Sequence, residues 1–414
     1  MKFRDQNEYL HNPTLLKIEL MLRGIRVEGE LLSEVMGGNT GVNRGLDGIE
    51  IILPHKTLVN APFREEFIRN SPYRLEKRGG DAFITDGTGE VAVDLPPLPH
   101  FYRGVTTTGI PFNKIGVVHG GHVAITPSKR CDFFQSDTAC RYCTGNFESY
   151  GKKAVSYSVD EVLETIEAAQ REGKAKIIYI DIGFSQEEDG GIKFLQPYIS
   201  GIKKNFKSLL VVETLPPGEN RWIDEAYAAG VDSVVYNLEI FDREIFELIC
   251  PGRSKFIGRE RYIDALRYAV TVFPSGTVAS HLIVGLEPPG STIQGIDFLT
   301  GLGVIPILPI YRPSPGGTLR IEPLTTEIIA PVYAHLYKAI KEKGINMNWV
   351  RDISIITTPL EGRFLVDGGR GFTSLLQNFY STKVDELKAT WGLSTLRRKL
   401  RVQGEGDSSG SSGT

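Results

Sequence analysis

From about Gly121 to Lys343 the chain alternates short apolar, β-branched runs with amphipathic stretches, and that rhythm limits the folds open to it. His122–Ile125, Lys176–Ile182, Leu209–Thr214, Val231–Leu238, Val278–Val284 and Ile305–Tyr311 read as six strands of the buried type. Helical spacing follows each. The clearest case starts at Ser158-Val-Asp-Glu161, a capping box, and carries Val159, Val162, Leu163, Ile166 and Ala169 on one face until Gly173. The other helical segments are Ile192–Phe206, Arg221–Ala229, Arg243–Cys250, Glu260–Val272, Thr292–Leu302 and Thr325–Lys343. Buried strands alternating with helices predict an α/β protein with a parallel sheet and right-handed crossovers. Six units in roughly 220 residues suit a partial (β/α)6 TIM-like barrel better than the closed eight-stranded form.

The flanks read differently. Residues 1–100 form an N-terminal mixed α/β accessory region, with a helix over Thr14–Arg23, a Gly-rich loop from Gly37-Gly38 to Gly48, and strands at Ile49–Leu53, Ala82–Thr85 and Val91–Val93. Asp86-Gly87 marks a turn between the last two. Pro96-Pro97-Leu98-Pro99 cannot continue a sheet and sets the boundary to a barrel over residues 101–345. Residues 346–402 add a short C-terminal extension, placed to close the barrel's bottom or open side. Residues 403–414 are linker-like and expected to be disordered. A net charge of -3 leaves no electrostatic footprint for nucleic acid or an anionic membrane. With no apolar N-terminal leader and no apolar run of spanning length, the expected location is cytoplasmic.

Three of the four cysteines lie in Cys131-Asp-Phe-Phe-Gln-Ser-Asp-Thr-Ala-Cys140-Arg-Tyr-Cys143. Clustered thiols in a reducing compartment are metal ligands more often than cross-links. A zinc site built on these three would need a fourth ligand from elsewhere. A [4Fe–4S] cluster can use the shortfall, because three cysteines leave one iron open to a small molecule. Cys250, alone at a helix end, reads as a small buried hydrophobe outside the cluster.

The closing triplet, with Tyr142 just before the last cysteine, resembles the radical S-adenosylmethionine (SAM) superfamily, and the biotin-synthase-like branch of it in particular. Its eight-residue first gap departs from the usual three. The resemblance covers roughly Gly121 to Lys343 and implies a [4Fe–4S] cluster on Cys131, Cys140 and Cys143 with SAM on the open iron. It also implies cofactor-binding roles for residues at the strand ends. Gly183 and Ser185 in Asp181-Ile-Gly-Phe-Ser185 stand where the family touches the SAM amino group, without its common Gly-Gly-Glu. Asn237 and Glu239 resemble the Asn-Leu-Asp of biotin synthase, and alternation puts both on one face. Arg253 resembles the arginine that pairs with the SAM carboxylate, and Tyr142 the adenine-side aromatic. Gly285 in His281-Leu-Ile-Val-Gly285-Leu-Glu287 falls where backbone meets adenine. Arg312, before Gly316-Gly-Thr-Leu319, is placed to hold SAM or an anionic substrate group, and Glu213 ends the third strand at the same mouth.

Each of these residues has a blander reading as a turn glycine, a structural ion pair or a solvated arginine. His119, His122 and His281 near the same rim are more often packed than catalytic. If the resemblance holds, the chain cleaves SAM reductively and uses the 5′-deoxyadenosyl radical to take hydrogen from a small molecule, with ferredoxin or flavodoxin as electron donor. Phe101 to Gly120, together with the Gly37–Gly48 loop, is similar to radical SAM proteins associated with nitrilase gene clusters, which implies a small nitrogen-containing substrate. The alternatives are a zinc- or cluster-stapled protein without activity, and a non-radical barrel lyase or hydrolase.

Overall fold

The computed structural model describes residues 6–29, 31–32, 48–143, 154–312, 319, 321, 324–347 and 356–366. The Gly37–Gly48 loop up to residue 47, Gly316 to Thr318, most of the C-terminal extension and the tail lie outside the described residues.

Seven strands make the main sheet, in the order β13-β12-β11-β10-β9-β8-β7. They are β7 (Gly116–His119), β8 (His122–Ser128), β9 (Ile177–Ile182), β10 (Leu209–Glu213), β11 (Ser233–Val235), β12 (Val278–His281) and β13 (Ile305–Ile307). β8 to β13 run parallel to their neighbours, and β7 pairs antiparallel with β8 through the tight turn at Gly120. The six expected strands are therefore present as one curved parallel sheet, opened by a seventh. Helices of the expected register separate them, Val159–Arg171, Ile192–Asn205, Arg221–Ala229, Arg259–Val272, Pro289–Leu302 and Thr326–Glu342 among them. Ser158 and Glu161 form the predicted capping box in full. No helix among the described residues is long and apolar enough to cross a membrane.

The later strands stop earlier than their apolar runs suggest, and the cause is polar side chains taking over the ladder. Asn237 Oδ1 accepts from the His281 N–H at 2.9 Å, and the Leu238 N–H donates to Ser280 Oγ at 2.9 Å, so β11 ends at Val235. Beyond β13, Pro309 has no N–H to give, and the Leu308 N–H turns to the Thr357 carbonyl at 2.8 Å.

The N-terminal region contains β1 (Arg26–Val27), the antiparallel pair β2 (Gly48–Leu53) and β3 (Thr57–Pro62), and the strands β4 (Arg74–Arg78), β5 (Asp81–Thr85) and β6 (Glu90–Val93). β1, β4, β5 and β6 form their own sheet. β1, β3, β4 and β7 went unread in the sequence. The helix Pro13–Arg23, capped by Asn12, is buried along nearly its whole length, packed against β3 and the helix Thr326–Glu342. Such a position forces its polar residues into pairs. Lys17 Nζ meets Glu361 Oε1 at 2.7 Å with the two side chains 0% and 3% exposed, and Glu361 Oε2 accepts from the Thr358 N–H at 2.8 Å.

The hairpin β2–β3 touches both free ends of the main sheet. Glu50 on β2 bonds His119 on β7 at 2.9 Å, and Arg312, just past β13, donates to the Asn60 carbonyl on β3 at 2.5 Å. The N-terminal hairpin thus spans the open side of the barrel, and most of the C-terminal extension, expected to close the barrel's bottom or open side, lies outside the described residues.

Candidate active site at the barrel mouth

The carboxyl ends of β8, β9, β10 and β11 meet in a cavity of about 220 Å³. The chain leaves β8 at Ser128 and enters the cysteine segment directly above it. A helical turn, Asp132–Gln135, fills part of the long gap between the first two cysteines. Its N–H at Asp132 donates to the Phe184 carbonyl at 2.9 Å, and the buried Asp132 carboxylate accepts from Arg130 Nε at 2.7 Å and from the Gln186 N–H at 3.1 Å. Phe133, 2% exposed, stacks on Phe184 with centroids 4.0 Å apart. Farther along, the Gly252 N–H donates to the Thr138 carbonyl at 3.0 Å and the Arg141 N–H to the Ile249 carbonyl at 2.9 Å. The added residues therefore bolt the first arm of the loop to the end of β9 and to the turn after Ile249. Both close contacts require glycine: a Cβ on Gly183 would stand 2.4 Å from the Arg130 carbonyl oxygen, and one on Gly252 2.5 Å from the Phe133 ring.

Cys131, Cys140 and Cys143 all line this cavity, Cys143 exposed and the other two partly so. Of the other residues singled out from sequence, Tyr142, Gly183, Glu213, Asn237, Glu239 and Arg253 line it too. Ser185, Gly285 and Arg312 are not among its walls. Ser185 Oγ accepts from the Glu187 N–H at 3.4 Å, in the loop after β9. Gly285 has φ +101°, and a Cβ there would meet the Leu324 side chain at 2.4 Å. Asp181, Thr126 and Ser128 belong to the lining and were missed; their inward alternation on β8 and β9 was the signal available.

One hydrogen-bonded chain organises the walls. Tyr179 and Glu213 share a short hydroxyl–carboxylate bond, Asn237 Nδ2 donates to Glu213 Oε1 at 2.8 Å, and Arg253 donates to the Asn237 carbonyl at 2.5 Å. Arg253 also reaches Glu239 Oε1 at 3.1 Å, where the Tyr142 hydroxyl arrives at 3.0 Å. Glu239 is 5% exposed and holds φ +68°, a conformation that costs a non-glycine residue of order 1 kcal/mol or more. Its Oε2 and the Arg253 Nε are buried without partners. Unused polar capacity around a strained acidic residue marks a place built for a ligand.

Cys250, expected to be an isolated buried residue, is fully buried but lies against Cys140. Its thiol and then the Arg253 guanidinium draw the Cys140 thiol down to about 6. Burial pushes the Cys131 thiol the other way.

The donor set fits an iron–sulfur cluster: three thiols open on one cavity, with no fourth cysteine exposed there. Among the described residues no three His, Cys, Asp or Glu side chains are grouped to hold one metal ion. A cube asks less, since each cysteine takes its own iron.

An open parallel barrel with a three-cysteine loop above its strand ends defines a class, and comparison with known proteins gives it a name. Residues 125–289 match the family model described as Radical SAM superfamily, whose enzymes use a [4Fe–4S] cluster and SAM. It is also similar to bacteriochlorophyllide c C-7(1)-hydroxylase of Chlorobaculum limnaeum, 30% identical over 105 residues, or 25% of this chain and 26% of that protein. The chain thus matches about a quarter of that relative's length. Among solved structures it is similar to the FeFe-hydrogenase maturase HydG from Carboxydothermus hydrogenoformans (15% identity, 53% of this chain and 51% of that one, TM-score 0.43). A radical SAM methyltransferase from Sphaerobacter thermophilus gives 12% identity over 69% of this chain and 81% of that one, with a TM-score of 0.42.

Proposed function

We propose that this chain is a radical SAM enzyme acting on a small molecule, with Cys131, Cys140 and Cys143 holding the cluster and the wall from Glu213 to Arg253 holding SAM and substrate. The observation that carries the reading is the meeting of all three thiols with Glu239, Arg253 and Tyr142 around one cavity at the strand ends. When bound, cluster and SAM supply a 5′-deoxyadenosyl radical able to take a hydrogen atom from carbon.

The protein's own share is binding, orientation and exclusion of water. Arg253, fixed by Glu239 and the Asn237 carbonyl, presents a cation for the SAM carboxylate. The unpartnered Glu239 Oε2 accepts from an amino or hydroxyl group. Phe133 and Phe184 close the side of the cavity beneath the loop and keep water from the radical. The exposed Cys143 gives an electron donor of the ferredoxin or flavodoxin type a short path to the cluster. The similarity to nitrilase-cluster proteins favours a small nitrogen-containing substrate, and the chain is assigned to the cytoplasm, where both donors reside.

Anaerobic incubation of the reconstituted chain with SAM and dithionite tests this reading. The expected products are 5′-deoxyadenosine and methionine. Protein that retains its cluster and releases neither would overturn it.

A further inference from the structure

Arg312 was expected to meet either a ligand or a structural ion pair, and the described residues supply no ion pair. Its Nη2 donates to the Asn60 carbonyl at 2.5 Å, but its Nη1 is buried with no hydrogen-bond partner. No carboxylate of the described residues forms an ion pair with it; Glu65 is the acidic group whose charge reaches it at all. Burial draws Arg312 down to about 10, whereas Arg253, surrounded by Glu239, Cys140 and two tyrosines, is held above the usual arginine range. A buried guanidinium without a counter-charge costs several kcal/mol. Natural chains keep such a group where something else brings the charge.

The same spot contains a second loose end. Asn60 is 2% exposed, and its Nδ2 is committed to the Gly48 carbonyl at 3.3 Å, which fixes Oδ1 as the acceptor. That Oδ1 is buried and unpartnered. A free donor pair with positive charge and a free acceptor thus sit on two segments 252 residues apart, where the hairpin β2–β3 meets the carboxyl end of β13.

We propose that Arg312, supported by Asn60, is a substrate-specificity site that binds the carboxylate or phosphate of the substrate, with Asn60 Oδ1 taking an N–H or O–H beside that anion. The inference rests on the enzyme reading above in naming the ligand a substrate. It deepens that reading by giving the small molecule an anionic group, and by assigning its recognition to the N-terminal hairpin. Arg253 already offers a cation at the cysteine cavity, so the second, separate arginine is assigned to a second anion.

The test uses the anaerobically reconstituted full chain, with melting temperature followed as acetate, glycine or inorganic phosphate replaces chloride at constant ionic strength. At least one of the three is expected to raise the wild-type melting temperature saturably. Arg312→Gln is expected to weaken that response by about tenfold or more. An equal response in the variant, or no response to any probe in the wild type, would sink the proposal. Arg312→Met is expected to melt no lower than wild type in chloride, because it removes an uncompensated charge; a clear drop would show a structural tie instead. SAM affinity is the last arm. It should be unchanged in Arg312→Gln, and a loss there would assign the arginine to the SAM carboxylate and overturn a substrate site. Failure of wild-type SAM cleavage alone would remove the enzyme reading while leaving the anion response standing.

Discussion

Two pieces of chain lie over openings of the same barrel. The cysteine segment 131–143 covers the mouth, and the hairpin β2–β3 spans the gap between β7 and β13. The first could be read from thirteen consecutive residues. The second could not, because its contacts join residues 69 and 252 positions apart, through a glutamate, an asparagine and an arginine that look like any surface polar residues. Chemistry that needs rare residue types at fixed spacing is visible in one dimension. Closure by generic polar contacts appears only when the chain is folded.

If the loop is the chemical half and the hairpin the selective half, substitutions in the two should fail differently. The largest effect belongs to Cys140→Ala. It should abolish cluster retention, read as loss of iron and of visible absorbance, and 5′-deoxyadenosine formation, while circular dichroism stays native. Retained iron with native SAM cleavage would break the assignment of the loop. Lys17→Met comes next. Leaving the Glu361 carboxylate buried without its cation should cost about 3–5 kcal/mol in urea unfolding, because the Thr358 bonds alone do not neutralise it. A cost under about 1 kcal/mol would mean that the N-terminal helix is only loosely docked on the barrel.

Phe133→Ala should cost a similar or slightly smaller amount, about 3 kcal/mol, since a fully buried ring on Phe184 is lost. Its more telling effect is on the cluster. With the first arm of the loop unanchored, iron should be released to a chelator faster than from wild type, at unchanged initial loading. Unchanged chelation kinetics would mean that the Asp132 contacts alone hold the arm.

The same contrast explains where the sequence was legible. The parallel barrel could be read because each strand is a continuous apolar run and each helix repeats its own face, so local pattern and tertiary burial agree. Strand ends were overestimated at β11, β12 and β13, where Asn237, Ser280 and Pro309 divert ladder bonds to side chains or distant carbonyls. Within the site, Asn237 and Glu239 came to one cavity as alternation implied, and Arg253, on the short helix Pro251–Phe256, meets them there. Ser185 and Gly285, chosen because family positions fell on them, stand off the cavity wall. Cys250 was set aside because a lone cysteine has no spacing signal; its place beside Cys140 depends on two backbone bonds that flank it.

Between the two extremes lies Glu161, whose local role was visible and whose long-range role was not. It completes the capping box with Ser158, and its Oε1 also accepts from the Thr108 hydroxyl at 2.6 Å, tying the approach segment to the barrel's first helix. The Thr108 hydroxyl and the Ser158 N–H together hold this carboxyl below the usual range. A depressed folded-state pKa means that the stabilisation is present above the unfolded pKa and is lost as pH falls through the folded one. Glu161→Gln should therefore lower the melting temperature slightly at neutral pH, and the gap to wild type should close as the pH drops below the carboxylate range. Thr108→Val should reproduce part of that pH-dependent gap, because it removes the larger of the two contacts while leaving the local cap intact. A gap that persists unchanged into acid would mean that Glu161 acts through packing alone, with no contribution from its charge.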